Sequence, residues 1–424
     1  MKRWLGVIVL MLVVSIAYMD RINVSLMITN TDFLHTLGLE GDRIAQGRLM
    51  SLFLFGYGLS AWFLTPLFEA RWSVRASLLI SLVLWTVFTG ASALTTSVVL
   101  FLSWRFLLGG AEGPLFSLKT MYVKEHFAAH EVGKPNAVSS LGVSIGLGAG
   151  YSILNFLIQH FGWRDSFWAL AALNVVIGMP LVMLFIRAPE AAATRPARPK
   201  PAALSLMLAA LRTPHLFWIL VIEVCTLSYL WGASTWLPSY LKEARHFSLN
   251  EMSVFAGLPF IVGIVAGVIG GSFVDLLPRH RAPLAFVIGG LITAACVTMA
   301  IIAANPYVAA TALILAGAGW GFQAPAIPTL VQHVAQDGTV GSTYGIVNGV
   351  GNLVSALMPM VMGAAMMAGK SENLGQGFWL LAGTQLVTVV SGAALLWRLG
   401  RHEATAPSTV QPVSVVNPGG GGTR

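Results

Sequence analysis

The sequence predicts an all-α membrane protein with twelve transmembrane helices in two pseudo-symmetric six-helix halves. Three observations predict it. Of 424 residues, 56% are hydrophobic and only 10% charged, against about 25% charged in an ordinary soluble domain. Apolar runs long enough to cross a bilayer, roughly 20 residues each, recur twelve times. The long proline-rich connector falls between the sixth and seventh runs. This pattern excludes a soluble enzyme with a membrane tail, a disordered chain and a secreted disulfide scaffold. Cys225 and Cys296 both sit in apolar runs and form neither a disulfide framework nor a metal motif.

The first run, 4–29, follows Lys2 and Arg3 and resembles a signal peptide, with Ser15 and Ala17 in small-x-small spacing. It resumes past Asp20-Arg21 as far as Ile28, so it reads as a retained span. Runs 48–68 and 76–96 are parted by Glu69, Arg71 and Arg75. Runs 98–122, 136–160 and 163–187 complete a first half, 1–187. Residues 188–213 include Ala-Thr-Arg-Pro-Ala-Arg-Pro-Lys-Pro at 193–201 and read as a solvated cytoplasmic linker. The second half, 214–400, holds runs 214–240, 252–277, 283–304, 306–331, 341–367 and 377–398. Residues 401–424, rich in Pro, Ser and Gly, read as a disordered cytoplasmic tail. With the N-terminus inside, seventeen of the 25 Lys and Arg residues fall on the cytoplasmic side and six on the other, with Arg21 and Arg105 inside spans. That bias places both termini in the cytoplasm, and the expected location is the inner membrane.

The halves carry weak repeats. Gly110-Ala-Glu112-Gly-Pro114 matches Gly321-Phe-Gln323-Ala-Pro325 at an offset of 211, and Gly142, Gly146 and Gly150 match Gly341, Gly345 and Gly349 at an offset of 199. A third ladder comprises Gly263, Gly267 and Gly271. Glycines at every fourth position share a helix face and let backbones approach. The ladders fit either static packing or a surface on which the halves slide. Two repeated six-span halves suggest a transporter with its site between them.

An ionisable side chain at the bilayer centre costs about 2.5–3.5 kcal/mol on insertion scales. Asp20, Arg21, Arg105, Glu112 and Glu223 all read as deep. Asp20 and Arg21 are adjacent and point to different faces, so each needs a partner elsewhere. Arg105 and Glu112, seven apart, share a face of span 4, and Lys119 extends the stripe. One structural ion pair would account for two of these charges, not four. Fully ionised, Asp20, Arg21, Arg105 and Glu112 sum to zero; each proton adds one positive charge. Arginine stays charged and grips carboxylates. Anion arrival occupies the arginines and frees the carboxyls to hold protons, a reciprocal coupling. The expected machine takes up an organic anion together with protons, with Arg21 and Arg105 as anion ligands and Asp20, Glu112 and Glu223 as proton sites. Tyr57, Gln323, Asn348 and Asn352 are the polar groups at span depth assigned to substrate. Asn348 and Asn352 lie one helical turn apart.

Other motifs carry less. Gly142-Val-Ser144-Ile-Gly146 matches a hydrolase elbow but lies inside one apolar helix, where that motif needs a strand before it. Gly369-Lys370-Ser371 lacks the first glycine of a phosphate loop, having Ala364 instead. His126 and His130 are spaced for zinc without a third ligand. The net charge of +8 is not clustered with stacking aromatics, so nucleic acid is not an expected partner. No enzyme activity, cofactor or metal is expected.

Three segments narrow the reading: Tyr18-Met-Asp20-Arg21-Ile-Asn23, Arg105-Phe-Leu-Leu-Gly-Gly-Ala-Glu112-Gly-Pro114, and Gly162-Trp163-Arg164. With twelve spans and a central basic linker, the chain resembles the major facilitator superfamily over about residues 1–400. Within it, the chain resembles the anion:cation symporter family, carriers of sugar acids, aromatic carboxylates and other organic anions. The resemblance implies that Arg21 and Arg105 hold the substrate carboxylate, that Asp20 and Glu112 are proton sites, and that Tyr57 and Asn352 contact substrate. It also implies gating roles for Glu69, Arg71 and Arg75 after span 2 and for Asp275 and Arg279 after span 8. Glu69-Ala-Arg71-Trp-Ser-Val-Arg75 departs from the superfamily's Asp-Arg-x-Gly core. The expected partners are a small organic anion, protons and the bilayer, and the chain is expected to be a monomer. Alternatives are an organic anion exchanger or a sodium-coupled carboxylate transporter. A multidrug exporter fits poorly with the paired arginines, and a non-transporting sensor lacks room for an effector domain.

Overall fold

The computed structural model describes residues 2–127, 133–187, 208–335, 340–368 and 374–405. The linker core 188–207, the tail beyond 405, His130 and Gly369-Lys370-Ser371 lie outside the described residues. Twelve helices are long and apolar enough to cross a membrane: Arg3–Met27, Arg43–Leu64, Val74–Leu94, Val98–Val123, Val138–Phe161, Trp163–Phe185, Leu216–Ala244, Leu249–Val274, Leu284–Ile302, Pro306–Val331, Thr343–Met367 and Leu374–Arg401. They correspond one to one with the twelve apolar runs and are numbered here as spans 1 to 12. Large apolar side chains such as Phe63, Val176, Val268 and Val390 stay exposed on their outer faces. A bilayer, not water, suits such faces.

The sequence placed some boundaries short. Span 2 starts at Arg43 because Asp42 caps it, its carboxylate accepting from the Ala45 amide at 2.9 Å. Its first turn is polar, so hydropathy alone misses it. A short helix, Thr31–Leu37, fills the preceding connection. The last helix, Leu374–Thr405, runs past the expected start of the tail. Span 7 contains Pro238, which has no N–H to offer the Ser234 carbonyl four residues back. The helix relaxes into a π turn at Tyr240–Ala244. The freed Ser234 carbonyl accepts the Tyr151 phenol of span 5 at 2.6 Å.

Spans pair alike in the two halves. Span 1 packs on span 5 as span 7 does on span 11; spans 2 and 4 pair as do 8 and 10; spans 3 and 6 pair as do 9 and 12. The halves meet through spans 5 and 8, 2 and 11, and 1 and 7. Two of the glycine ladders seat helices within a half. Gly142 and Gly146 sit on the backbone of span 1, and Gly263 and Gly267 on that of span 10. Tight approaches between the halves lie elsewhere: a Cβ on Gly257 would stand 2.2 Å from the Gly148 carbonyl, and one on Gly363 2.3 Å from the Arg43 carbonyl.

One end of the bundle, opposite the N-terminus, is latched. Arg43 pairs with Glu243, and Lys242 donates to the Thr29 carbonyl. Asn155 donates to the Leu249 carbonyl at 3.2 Å, and Gln159 to Asn250 at 3.2 Å. The other end is looser. Gly345 and Gly349 on span 11 border open space, and Tyr344 is exposed.

Candidate functional site

Successive helical residues are turned about 100° apart, so Asp20 and Arg21 diverge. Asp20 faces span 3. Its Oδ2 accepts from the Trp85 indole at 2.5 Å and from the Thr89 hydroxyl. Trp85 and Thr89 are four apart and share one helix face. Sequence reasoning sought the partner of Asp20 on span 4 and missed this pair. The four-residue spacing of an indole donor and a hydroxyl on an apolar span was the available signal. Arg21 turns inward, and its Nε donates to Glu112 Oε2 at 2.9 Å, both side chains being fully buried.

Glu112 owes its position to a break in span 4. Helix Val98–Glu112 ends at it and Leu115–His126 begins after Gly113-Pro114. Pro114 cannot donate to the Gly110 carbonyl, which interrupts the ladder. One turn earlier, Gly109 lets span 4 lie directly on span 2: a Cβ there would stand 1.9 Å from the Phe53 carbonyl. That approach brings Arg105 against span 2, where its Nε donates to the Leu49 carbonyl at 3.3 Å.

The two guanidinium groups share aromatic walls. Arg21 Cζ lies 4.3 Å from the Tyr18 ring centroid, 4.6 Å from Tyr57, 5.4 Å from Phe53 and 5.7 Å from Trp231. Arg105 Cζ lies 4.7 Å from Phe53. Each ring face attracts a cation by about 0.5–2 kcal/mol, more where water is excluded. Asp20, Arg21 and Arg105 are 0% exposed and Glu112 1%. Both Nη atoms of Arg21, both Nη atoms of Arg105, Oδ1 of Asp20 and Oε1 of Glu112 have no hydrogen-bond partner among the described residues. Leaving a buried charged group unsatisfied costs about 1–3 kcal/mol or more. Stability gives no reason to keep this arrangement, since a buried ion pair is at best neutral against apolar packing. Four donors and two acceptors in one dry place can receive an anion and protons.

The second half supplies neutral groups. Trp231 of span 7 stacks on Tyr18 across the halves, centroids 6.2 Å apart and planes at 17°. Its indole donates to Asn352 Oδ1 at 3.1 Å, and Asn352 Nδ2 donates to Asn348 Oδ1 at 2.8 Å. The structure therefore gathers Arg21, Arg105, Tyr57, Asp20, Glu112, Asn348 and Asn352 about one place. Glu223 lies on span 7 against Gly351 of span 11, near this group. Gln323 does not join it. The second-half break at Ala324-Pro325 points Gln323 at Gln385 of span 12, to which its amide donates at 2.8 Å. Its Cβ and Cγ pack on Gly289.

Of the expected gating residues, Arg75 is exposed at the start of span 3, while the side chains of Glu69, Arg71, Asp275 and Arg279 lie outside the described residues. The His126 ring bonds the Tyr122 and Arg187 carbonyls. Lys119 is buried and donates to Ser140 at 2.7 Å.

A family model described as Major Facilitator Superfamily matches residues 10–359. The Probable galactarate/D-glucarate transporter GudP of Bacillus subtilis (strain 168) is 24% identical over 436 residues, covering 93% of this chain and 91% of that protein. The Hexuronate transporter of the same organism is 25% identical over 334 residues, covering 75% of this chain and 78% of its own. The crystal structure of a D-xylose-proton symporter superposes with a TM-score of 0.74 at 15% identity, covering 94% of this chain and 98% of that one.

Proposed function

This chain belongs to the major facilitator superfamily, a family of transporters and not of enzymes, and on that premise we propose that it takes up a small organic anion together with protons by alternating access. The observation that carries the reading is the set of unpartnered buried atoms: four guanidinium nitrogens of Arg21 and Arg105 beside one free carboxyl oxygen each on Asp20 and Glu112. Arg21 and Arg105 hold the substrate carboxylate, with Tyr57 and the Asn348–Asn352 pair lining its other side. The names of the relatives, transporters of sugar acids, support this substrate class.

Coupling follows from the Arg21–Glu112 pair. A carboxyl next to a guanidinium stays ionised; one in a dry site without it takes a proton. When a substrate carboxylate binds Arg21, Glu112 shares its cation and accepts a proton more readily. By linkage, a proton on Glu112 releases Arg21 for the anion. Asp20 is held apart from this exchange by Trp85 and Thr89 and serves as the second proton site.

The latched end is the periplasmic one in this reading, so the site opens toward the cytoplasm past Tyr344 and Gly345. The halves rock on the span 5–8 and span 2–11 contacts. The protein lies in the inner membrane with residue 197 of the linker in the cytoplasm. Labelling of Ala197→Cys from the cytoplasmic side alone is the expected outcome, and periplasmic labelling inverts the orientation.

The test is uptake into proteoliposomes under an imposed pH gradient, outside acidic. A sugar acid or other carboxylate accumulates above its external concentration, and collapse of the gradient stops it. Accumulation driven equally well by sodium without a pH gradient overturns the proton assignment.

A further inference from the structure

Glu223 is a carboxyl that the coupling scheme above does not need. It lies in the interior half of span 7, 6% exposed. Asp20 and Glu112 each have a hydrogen-bond partner, whereas Glu223 has no hydrogen bond or ion pair to any described residue. A Cβ on Gly351 would stand 2.6 Å from Glu223 Cγ and 2.9 Å from Leu227, so the glycine makes room for the carboxyl between spans 7 and 11. Burying a carboxyl without a partner is costly, and leucine would fill this place better. Its retention asks for a ligand.

The surroundings name the direction. Tyr344, Asn348, Gly351 and Asn352 follow one another at helical spacing and share the inward face of span 11. Gly351, against which Glu223 packs, precedes Asn352, whose Oδ1 accepts from the Trp231 indole that stacks on Tyr18. Tyr18 and Tyr57 are the rings that flank the Arg21 guanidinium at 4.3 and 4.6 Å. The wall that carries Glu223 and the wall that carries Arg21 therefore meet at the Trp231–Tyr18 stack, and on the Glu223 wall Tyr344 is 38% exposed. A solute whose carboxylate sat at Arg21 and whose chain followed this wall would bring its other end toward Glu223.

Resting on the anion reading above, we propose that Glu223 sets substrate selectivity: it favours acids whose far end carries a hydroxyl group and rejects those whose far end carries a second carboxylate. A hydroxyl donates to a carboxylate and accepts from a carboxylic acid, so it fits Glu223 in either protonation state. A second carboxylate meets like charge, and the pair is tolerable only with a proton between them. The substrate class is thus the polyhydroxylated monocarboxylates, as distinct from the corresponding diacids.

D-Gluconate and D-glucarate are the probes, because they differ only at the terminal carbon. Binding to the purified full-length protein is read by ligand-induced melting shift, and transport by competition in proteoliposomes. The wild type favours gluconate by about tenfold or more, Glu223→Gln brings the two acids to near parity, and Glu223→Asp keeps the preference. The melting temperature of each variant without ligand verifies its folding. Equal preference in wild type and Glu223→Gln overturns the proposal, as does a wild type that favours glucarate. Loss of pH-driven gluconate accumulation in Glu223→Gln with the preference unchanged also overturns it, in favour of a proton site. A wild type that answers to aromatic or simple carboxylates but to neither sugar acid overturns this inference alone, and one that answers to no carboxylate overturns the anion reading with it.

Discussion

The two halves carry the same helix break and put opposite chemistry on it. In the first half the residue before the break is Glu112, bonded to a buried arginine. In the second it is Gln323, bonded to Gln385, whose own amide donates to the Cys225 carbonyl at 3.4 Å. Both interruptions come from a proline two residues on, so the backbone device is common. The side chains differ in what they leave unfinished. Glu112, Arg21, Arg105 and Asp20 together leave six charged-group atoms without partners among the described residues; of the Gln323–Gln385 pair, only Gln323 Oε1 is left. A duplicated scaffold can thus confine its ionisable chemistry to one copy and use the other as a neutral counterpart that packs, hydrogen-bonds and moves.

The largest expected effect comes from emptying the charged half. Arg105→Ala weakens substrate binding by roughly 100-fold or more, the loss of two charge-assisted hydrogen bonds, and the ligand-induced melting shift disappears. An unchanged shift breaks the contrast between the halves. Next, Glu112→Gln copies the second half's amide into the first. Uphill accumulation under a pH gradient is abolished and its rise with external acidity is lost, while counterflow exchange persists; full accumulation by this variant removes Glu112 from the coupling. The converse change, Gln323→Glu, places a carboxyl where no arginine faces it. It lowers stability by about 3 kcal/mol, the order expected for an uncompensated buried charge, without adding pH dependence to transport. Calorimetry and the pH profile check both parts. The smallest effect concerns the seam between the halves. Arg43→Gln removes the ion pair to the half-exposed Glu243, a change of about 1 kcal/mol. A cysteine at Ser253, buried under Asn155 at the latched end, labels about fivefold faster in consequence.

Much of this was legible in the sequence, for physical reasons. Span length and apolarity are dictated by the bilayer, so all twelve helices could be read. Charges in apolar runs are too costly to be incidental, which singled out Asp20, Arg21, Arg105 and Glu112. Periodicity brought Asn348 and Asn352 to one face, and the structure bonds them. Contacts between distant helices were not legible. The four-residue spacing of Trp85 and Thr89 puts an indole and a hydroxyl on one face of span 3, but that spacing alone does not assign them to Asp20, because such residues in an apolar span are also ordinary core residues. Gln323 reads as a substrate ligand by its depth in span 10, and depth does not say which neighbouring helix a side chain meets, here Gln385 of span 12. The ladders drew attention to glycine spacing, whereas the halves approach at Gly148 and Gly257 and at Gly47 and Gly363, single positions with no periodic signature. The polar first turn of span 2 hid Arg43, the residue that latches the halves.

Phe53 deserves a last consequence. Its ring serves Arg21 and Arg105 together, so the electron-rich face of a nonpolar residue offsets part of the repulsion between two cations. Position 53 is then electrostatic in effect though hydrophobic by composition. Sequence drift to tyrosine or tryptophan preserves that screening, and drift to leucine or isoleucine conserves apolarity while discarding it. Hydrophobicity profiles count those replacements as equivalent, and a chain redesigned on such a profile would keep its helices and lose the tolerance for paired guanidinium groups at its centre.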